Sequence, residues 1–350
     1  MKSTAPADDA CCAHTHGLPS TAPTMRLTVL LQFAFIAILA ILIVFYRHTP
    51  AFATFSITFV AIFLEALPFM LLGAAIGGLI EVFVSKAVIL RILPSGRLSA
   101  ILLAAGLGMV FPVCECAIVP VVRRLFAKGL PLGAGIAFLL GGPIVNPLVF
   151  FSTAVAYGND FRLAGARLLI GYLIAVMVGF FIDWLLTRQS ALVSIASVLP
   201  GDTHANCVAT GSGGLWTKTA WAMRHAAADF VDISRFLVFG AVAAGLLQTL
   251  VVRGELAELI GSPVASILLM MSLAVLLSLC SEADAFVAAS FRTMLPLAAQ
   301  MAFMVLGPML DLKLIAMYFR MFRKRLILVL STTTAVVVFL TMLLMQGVGP

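Results

Sequence analysis

Charge is what this chain has least of. Only 11% of its 350 residues are Asp, Glu, Lys or Arg, against 62% hydrophobic residues and a mean hydropathy of +1.14. Soluble domains carry about 25% charged residues, so a soluble protein with a large core is set aside. Apolar runs long enough for a hydrocarbon layer of roughly 30 Å recur along nearly the whole length. Any glycine-rich phosphate loop is also missing, and too little polar chain remains for an ATPase domain. ATP-driven transport within this polypeptide is therefore excluded. The cysteines at 11, 12, 114, 116, 207 and 280 lack the spacing of a secreted disulfide framework. Nothing near the start reads as a cleaved signal, so the apolar run from about Leu27 to Tyr46 is expected to stay as a leading transmembrane helix.

The net charge of +7 does not point to nucleic acid, because the basic residues punctuate the apolar runs. Lys86, Arg91 and Arg97 form one group, Arg123, Arg124 and Lys128 a second, and Arg320, Arg323, Lys324 and Arg325 a third. Such groups orient membrane spans and meet lipid headgroups, so the first partner expected is the bilayer.

What the chain does have is a pattern that occurs twice. Phe63, Glu65, Phe69, Gly73 and Gly78 match Phe230, Asp232, Phe236, Gly240 and Gly245 at a shift of 167 residues. Cys114 matches Cys280 at 166, and Pro131, Ala137, Phe138, Gly142 and Pro143 match Pro296, Ala302, Phe303, Gly307 and Pro308 at 165. Gly, Pro, Cys and acid in one order with so little drift imply a duplication. The expected fold is an all-α polytopic membrane protein with two homologous four-span repeats, broken helices and one leading helix. Its parts are a disordered polar tail at 1–25, the leading helix at 27–46, repeat one at 54–187, a polar linker at 188–224 and repeat two at 225–346. Four spans per repeat would make the halves parallel, whereas Cys segments that enter and return without crossing would allow inverted halves.

The polar residues inside these runs are the candidate site. Thiols, carboxylates and Gly-Pro pairs are costly in a bilayer and mark substrate or ion paths. Cys114 and Cys116 would sit about 200° apart on a regular helix. They can face one ligand only if the backbone between Pro112 and Pro120 unwinds. Cys114, Cys116 and Cys280 would then be three soft ligands, with the small-apolar reading of buried cysteine as the alternative. Glu115, Glu282 and Asp284 need a counter-charge, a proton or a bound cation, with Arg123, Arg124 or Arg292 as scaffold partners. Gly142-Pro143 with Asn146-Pro147, and Gly307-Pro308 with Asp311, read as matched breaks that bring Asn146 and Asp311 toward a substrate. Packing kinks are the equal alternative. Asp232 has Arg235 three residues on, whereas Glu65 has no such neighbour and is the candidate for proton coupling. The soft cluster Cys11-Cys12-Ala13-His14-Thr15-His16 and the pair His204 and Cys207 lack structural-zinc spacing.

The run Phe111-Pro112-Val113-Cys114-Glu115-Cys116, the segment Gly141-Gly142-Pro143-Ile144-Val145-Asn146-Pro147 and the run Cys280-Ser281-Glu282-Ala283-Asp284 resemble the bacterial predicted-permease family of the arsenical-permease (ArsP/YraQ) type. The resemblance covers roughly residues 50–346 and implies a multi-pass permease of the cell inner membrane, not an enzyme, with no cofactor. It implies a small inorganic or organometalloid substrate, and efflux of arsenicals for some members. Where the organoarsenical branch carries a Cys-Ser-Cys type motif, this chain has Glu115 between its cysteines. Soft thiols favour trivalent arsenic, the nearby carboxylates suit a zinc-like divalent cation, and a non-transporting assembly factor is the third class. A homo-oligomer stays open.

Overall fold

The computed structural model describes residues 50–83, 94, 96–110, 114–186, 215–250 and 262–348, and every regular element among them is helical. The tail at 1–25, the leading helix at 27–46, Pro112, and His204 with Cys207 lie outside the described residues, as do the side chains of Glu65 and Asp232. In chain order the helices are α1 (Pro50–Phe83), α2 (Arg97–Gly106), α3 (Glu115–Ala127), α4 (Leu132–Gly141), α5 (Pro147–Ala156) and α6 (Phe161–Leu185). They continue as α7 (Leu215–Leu250), α8 (Pro263–Leu277), α9 (Asp284–Ser290), α10 (Leu297–Met309), α11 (Leu312–Met321) and α12 (Lys324–Val348).

Helix lengths fall into two groups, and the local sequence explains why. Four stretches are long and apolar enough to cross a membrane: Phe55–Ile80, Phe161–Leu185, Leu297–Phe319 and Lys324–Gln346. The segments 98–122 and 131–157 are each a pair of short helices, the second broken between Gly141 and Pro147 as its Gly-Pro and Asn-Pro pairs predict. At 1.5 Å per residue, α4 and α5 are each about 15 Å long, half a hydrocarbon layer. Asn146 ends the gap between them: its Oδ1 accepts from the Leu148 N–H at 2.9 Å, and Pro147 takes the first helical position. Asp311 does the same for α11, accepting from the Leu314 N–H at 2.6 Å. The second break therefore falls at Leu310, whose backbone is extended, while Pro308 lies inside α10.

The first ten residues of α7, 215–224, belong to the stretch expected as linker. Ala222 seats against α1, where a Cβ on Gly78 would collide with its backbone. That contact gives an apolar helical start a surface to pack on.

The half-length helices form the centre. Every residue of α4 is buried, as is α10 from Ala298 through Met309, and the two helices touch. Around them α1 packs along α7, α4 along α6 and α8 along α10. The outer helices expose large apolar side chains, among them Leu169, Leu173, Met177, Phe180 and Trp184 on α6 and Leu328, Val336, Leu340 and Leu344 on α12. So much apolar area facing outward suits lipid, not water.

Two glycines fix how closely the site helices approach. A Cβ on Gly73 of α1 would lie 2.6 Å from the Ala117 Cα in α3, and one on Gly240 of α7 would lie 2.6 Å from the Lys313 Cα in α11. Only hydrogen at those positions lets α3 and α11 lie against the long pair.

Candidate functional site

Both Cys motifs occur where a helix begins. Cys114 is extended and caps α3, and its carbonyl accepts from the N–H groups of Ala117 and Ile118, both at 3.1 Å. Cys280 follows the end of α8, and its carbonyl accepts from Ala283 at 3.1 Å and Asp284 at 3.0 Å. The extended Cys114 brings its thiol within hydrogen-bond reach of the Cys116 thiol. Among the described residues of this motif only Cys114 is extended, and the helix runs unbroken from Glu115. Pro120 lies inside α3, where it has no N–H to give the Cys116 carbonyl. Cys114, Cys116 and Cys280 are all buried and unbridged.

Glu115 is fully buried and its cation is Lys313, a residue the sequence reading passed over. Lys313 Nζ donates to Glu115 Oε1 at 2.7 Å and to the Ser278 carbonyl at 3.2 Å, and lies 3.5 Å from Asp311 Oδ2. One ammonium thus ties the first Cys motif to the backbone two residues before Cys280 and to the cap of α11. Ser278 carries this carbonyl in a left-handed conformation, φ 48° and ψ 43°, where α8 ends. Cys116 also faces Lys313, and Tyr318 stands near Asp311, Glu115 and Cys116.

Asp284 pairs elsewhere. Arg167 Nη2 from α6 reaches Asp284 Oδ1 at 2.8 Å and Oδ2 at 2.9 Å, with both side chains almost wholly buried. The same guanidinium donates to the carbonyls of Ser281 and Met304 at 3.0 Å and to Thr153 Oγ1 at 2.7 Å. It joins α5, α6, α10 and the turn before α9. Glu115 and Asp284 are close enough to sense each other's charge.

The site residues expected from sequence therefore divide. Cys114, Glu115, Cys116 and Asp311 are brought together around Lys313. Asp284 is held by Arg167, and Glu282 is half-buried with the Ser281 hydroxyl 3.4 Å from its Oε2. Asn146 is fully buried as a helix cap, with its Nδ2 lacking a hydrogen-bond partner. Glu65 is placed on α1 with its side chain outside the described residues. Among the described residues no three Cys, His, Asp or Glu groups form a set that could hold a metal ion.

The expected scaffold partners also differ. Glu115 and Asp284 take Lys313 and Arg167, while Arg292 lies 6.0 Å from the Tyr157 ring centroid. Arg123 and Arg124, expected as loop punctuation, are buried within α3. The reason is that α3 ends only at Ala127, so these arginines lie on the helix and not after it. A cation inside an apolar run was the available signal for both missed residues, Lys313 in Leu310–Ile315 and Arg167 in Leu163–Ile170. A half-open cavity of about 510 Å³ lined by Pro94, Arg97, Asp183 and Trp184 shares no residue with this cluster. It holds the pair of exposed Arg97 with half-buried Asp183 and no thiol, so the chemistry is assigned to the buried cluster.

Residues 51–347 match a family described as predicted permease. The UPF0718 protein YcgR of Bacillus subtilis (strain 168) is 38% identical over 85% of this chain and 98% of its own length. A Streptococcus mutans protein, named as a subunit of a two-component membrane permease complex, is 34% identical over 84% of this chain and 96% of its own. The UPF0718 protein YraQ of Escherichia coli (strain K12) is 27% identical over 32% of each chain. No solved structure matches. A buried thiol and charge cluster among lipid-facing helices, with this similarity along most of its length, places the chain in its family: it belongs to the predicted permeases.

Proposed function

We propose that the chain is a secondary permease of the inner membrane that exports a small thiophilic metalloid or metal species of arsenite or organoarsenical type. The observation that carries this reading is the Cys114–Cys116 thiol pair, set side by side by one extended residue inside a buried polar cluster. Soft sulfur ligands select soft cargo. Of the carboxylates that would favour a zinc-like ion, Glu115 and Asp284 have cations of their own, Lys313 and Arg167. Loading on trivalent arsenic needs no redox step, since each thiol that replaces a hydroxide forms one As–S bond and releases one water. Two thiols, with Cys280 as a third that exchanges in during passage, hold cargo loosely enough to release it, which a closed four-ligand site would not. The unpaired Nδ2 of Asn146 is a donor for the cargo's oxygen. Coupling is assigned to Glu115 with its Lys313 partner, and to Glu65.

The same reading takes the chain as two homologous halves, 54–187 and 225–346. Its support is the matched order α1–α6 and α7–α12, the matched carbonyl bonding at Cys114 and Cys280, and the matched caps Asn146 and Asp311. The halves also pack crosswise, α3 on α11 and α9 on α5. Short helices with free ends at the centre are how duplicated transporters build a site.

The test is tolerance. Bacteria stripped of their own exporter should survive higher arsenite or methylarsenite when they carry this chain, and lose the gain with Cys114→Ser or Cys116→Ser. Unchanged tolerance in the variant with serine at 114, 116 and 280, at equal membrane abundance, rules out thiol loading. A change in zinc tolerance alone would move the assignment to a divalent-cation permease. The Streptococcus mutans relative supports a second element, a partner subunit for this chain. Purification from its native membrane should bring down one further membrane protein in fixed ratio, and a single species in native mass spectrometry would remove that element.

A further inference from the structure

The oxygens around Lys313 have the make-up of a cation site whose cation is attached to the chain. Three elements contribute: Glu115 from the start of α3, Asp311 from the cap of α11 and the Ser278 carbonyl from the end of α8. Each of the two carboxylates stands at a helix N-terminus, where the helix dipole favours negative charge. The carbonyl stands at a C-terminus, where it favours positive charge. Carbonyls freed at the ends of broken helices are a recurrent means of holding coupling ions.

The charges within this cluster do not balance. Two fully buried carboxylates face one ammonium, and Glu115 Oε2 and Asp311 Oδ2 have no hydrogen-bond partner. Cys116 and Tyr318 also face this cluster and supply no positive charge, and Asp284, whose charge Glu115 senses, is matched by its own Arg167. Lys313 therefore uses part of an oxygen shell larger than its three N–H groups require.

We propose that Glu115, Asp311 and the Ser278 carbonyl form a binding site for a hard monovalent cation of sodium type, which the Lys313 ammonium occupies in this state and exchanges with during transport. The exchange replaces one positive charge with another, so the buried cluster never gains a second unit of uncompensated charge. Gly240, which lets the backbone of Lys313 press on α7, sets the point from which the side chain swings. The site rests on the permease reading but not on the identity of the cargo.

The experiment uses purified full-length protein in choline buffer and follows the thermal unfolding midpoint as NaCl or KCl is added to 100 mM. The native protein should shift by less than about 1 °C. Lys313→Ala should gain roughly 3 °C or more, saturably, as expected for ion binding to the folded state at about 100 times its Kd. Lys313→Ala/Glu115→Gln should lose that gain. A flat response in Lys313→Ala, an equal response in all three proteins, or a response to Mg²⁺ alone would each overturn the proposal. If Lys313→Ala does not accumulate, the double variant, which restores the native balance of charge, must accumulate. Sodium added during extraction must then recover the single variant, and failure of either result also overturns the site.

Discussion

Replacing Arg167 by Met should be the most damaging single change outside the thiols. The methionine fills much of the same space but removes the five contacts that the guanidinium makes to Thr153, Ser281, Met304 and both oxygens of Asp284. Removing one partner of a buried pair costs about 3–5 kcal/mol, because the remaining charge has no water to return to. The two abandoned carbonyls would add about 1–3 kcal/mol each if nothing relaxed. Relaxation makes the terms overlap, so the expected loss is about 4 kcal/mol, or roughly 5 °C in unfolding midpoint. Arg167→Lys should cost about half as much, since one ammonium keeps the charge but cannot reach four elements at once. The decisive measurement is a double-mutant cycle with Asp284→Ala, read by thermal unfolding in detergent. Asp284→Ala in the Arg167→Met background should be nearly neutral, giving a coupling of at least about 2 kcal/mol. A loss below about 1 kcal/mol for Arg167→Met, or additive effects in the cycle, would refute the view that this pair holds α5, α6, α9 and α10 together.

Three further outcomes probe the positions that shape the site. Ser278→Gly should raise stability by about 0.5–1 kcal/mol, because φ 48° suits glycine and the carbonyl that meets Lys313 is retained. A lowered unfolding midpoint would show that the serine side chain matters instead. Gly240→Ala should cost about 1–3 kcal/mol and impair transport, since the new methyl would displace the Lys313 backbone. Equal activity and stability would contradict the close approach. Asn146→Ala should lose about 1 kcal/mol with the cap of α5, whereas Asn146→Asp should keep the cap yet add a buried charge next to the break. Circular dichroism during heating separates the two, and a more stable Asn146→Asp variant would exclude this account.

How much of this was legible in the sequence depends on the range of the interaction. The helical membrane class follows from composition alone, and the second halves of the broken helices follow from Asn146-Pro147 and Asp311, which are local start signals. Where the breaks fall was less exact. Pro120 and Pro308 look like breakers, yet both lie inside helices, since a proline removes one hydrogen bond and neighbouring packing keeps the rest. The charge partners were out of reach of local reading. Glu115 and Lys313 are 198 residues apart, and Arg167 and Asp284 are 117 apart. Nothing in the spacing of either half says which cation meets which acid. The arginines nearest in sequence to Glu115, Arg123 and Arg124, were plausible partners only because chain distance stood in for spatial distance.

The two proposed halves share a backbone plan but not a charge plan, and this difference carries a consequence for mechanism. At the matched positions Asn146 stands where the other half has Asp311, and Leu148 stands where it has Lys313. Glu115 and Cys116 correspond to Ser281 and Glu282. The thiol pair and the ammonium therefore meet at the junction of α3 with α11, while the equivalent junction of α9 with α5 is locked by Arg167. Of the two ion clusters, the one at Arg167 has all of its acid oxygens engaged, and the one at Lys313 leaves two unbonded. A pair whose acid oxygens are all engaged resists rearrangement, whereas one with unused oxygens can trade its cation at little cost. Movement during a transport cycle should therefore concentrate where α11 meets α3, with the Arg167 junction acting as the fixed side against which it works.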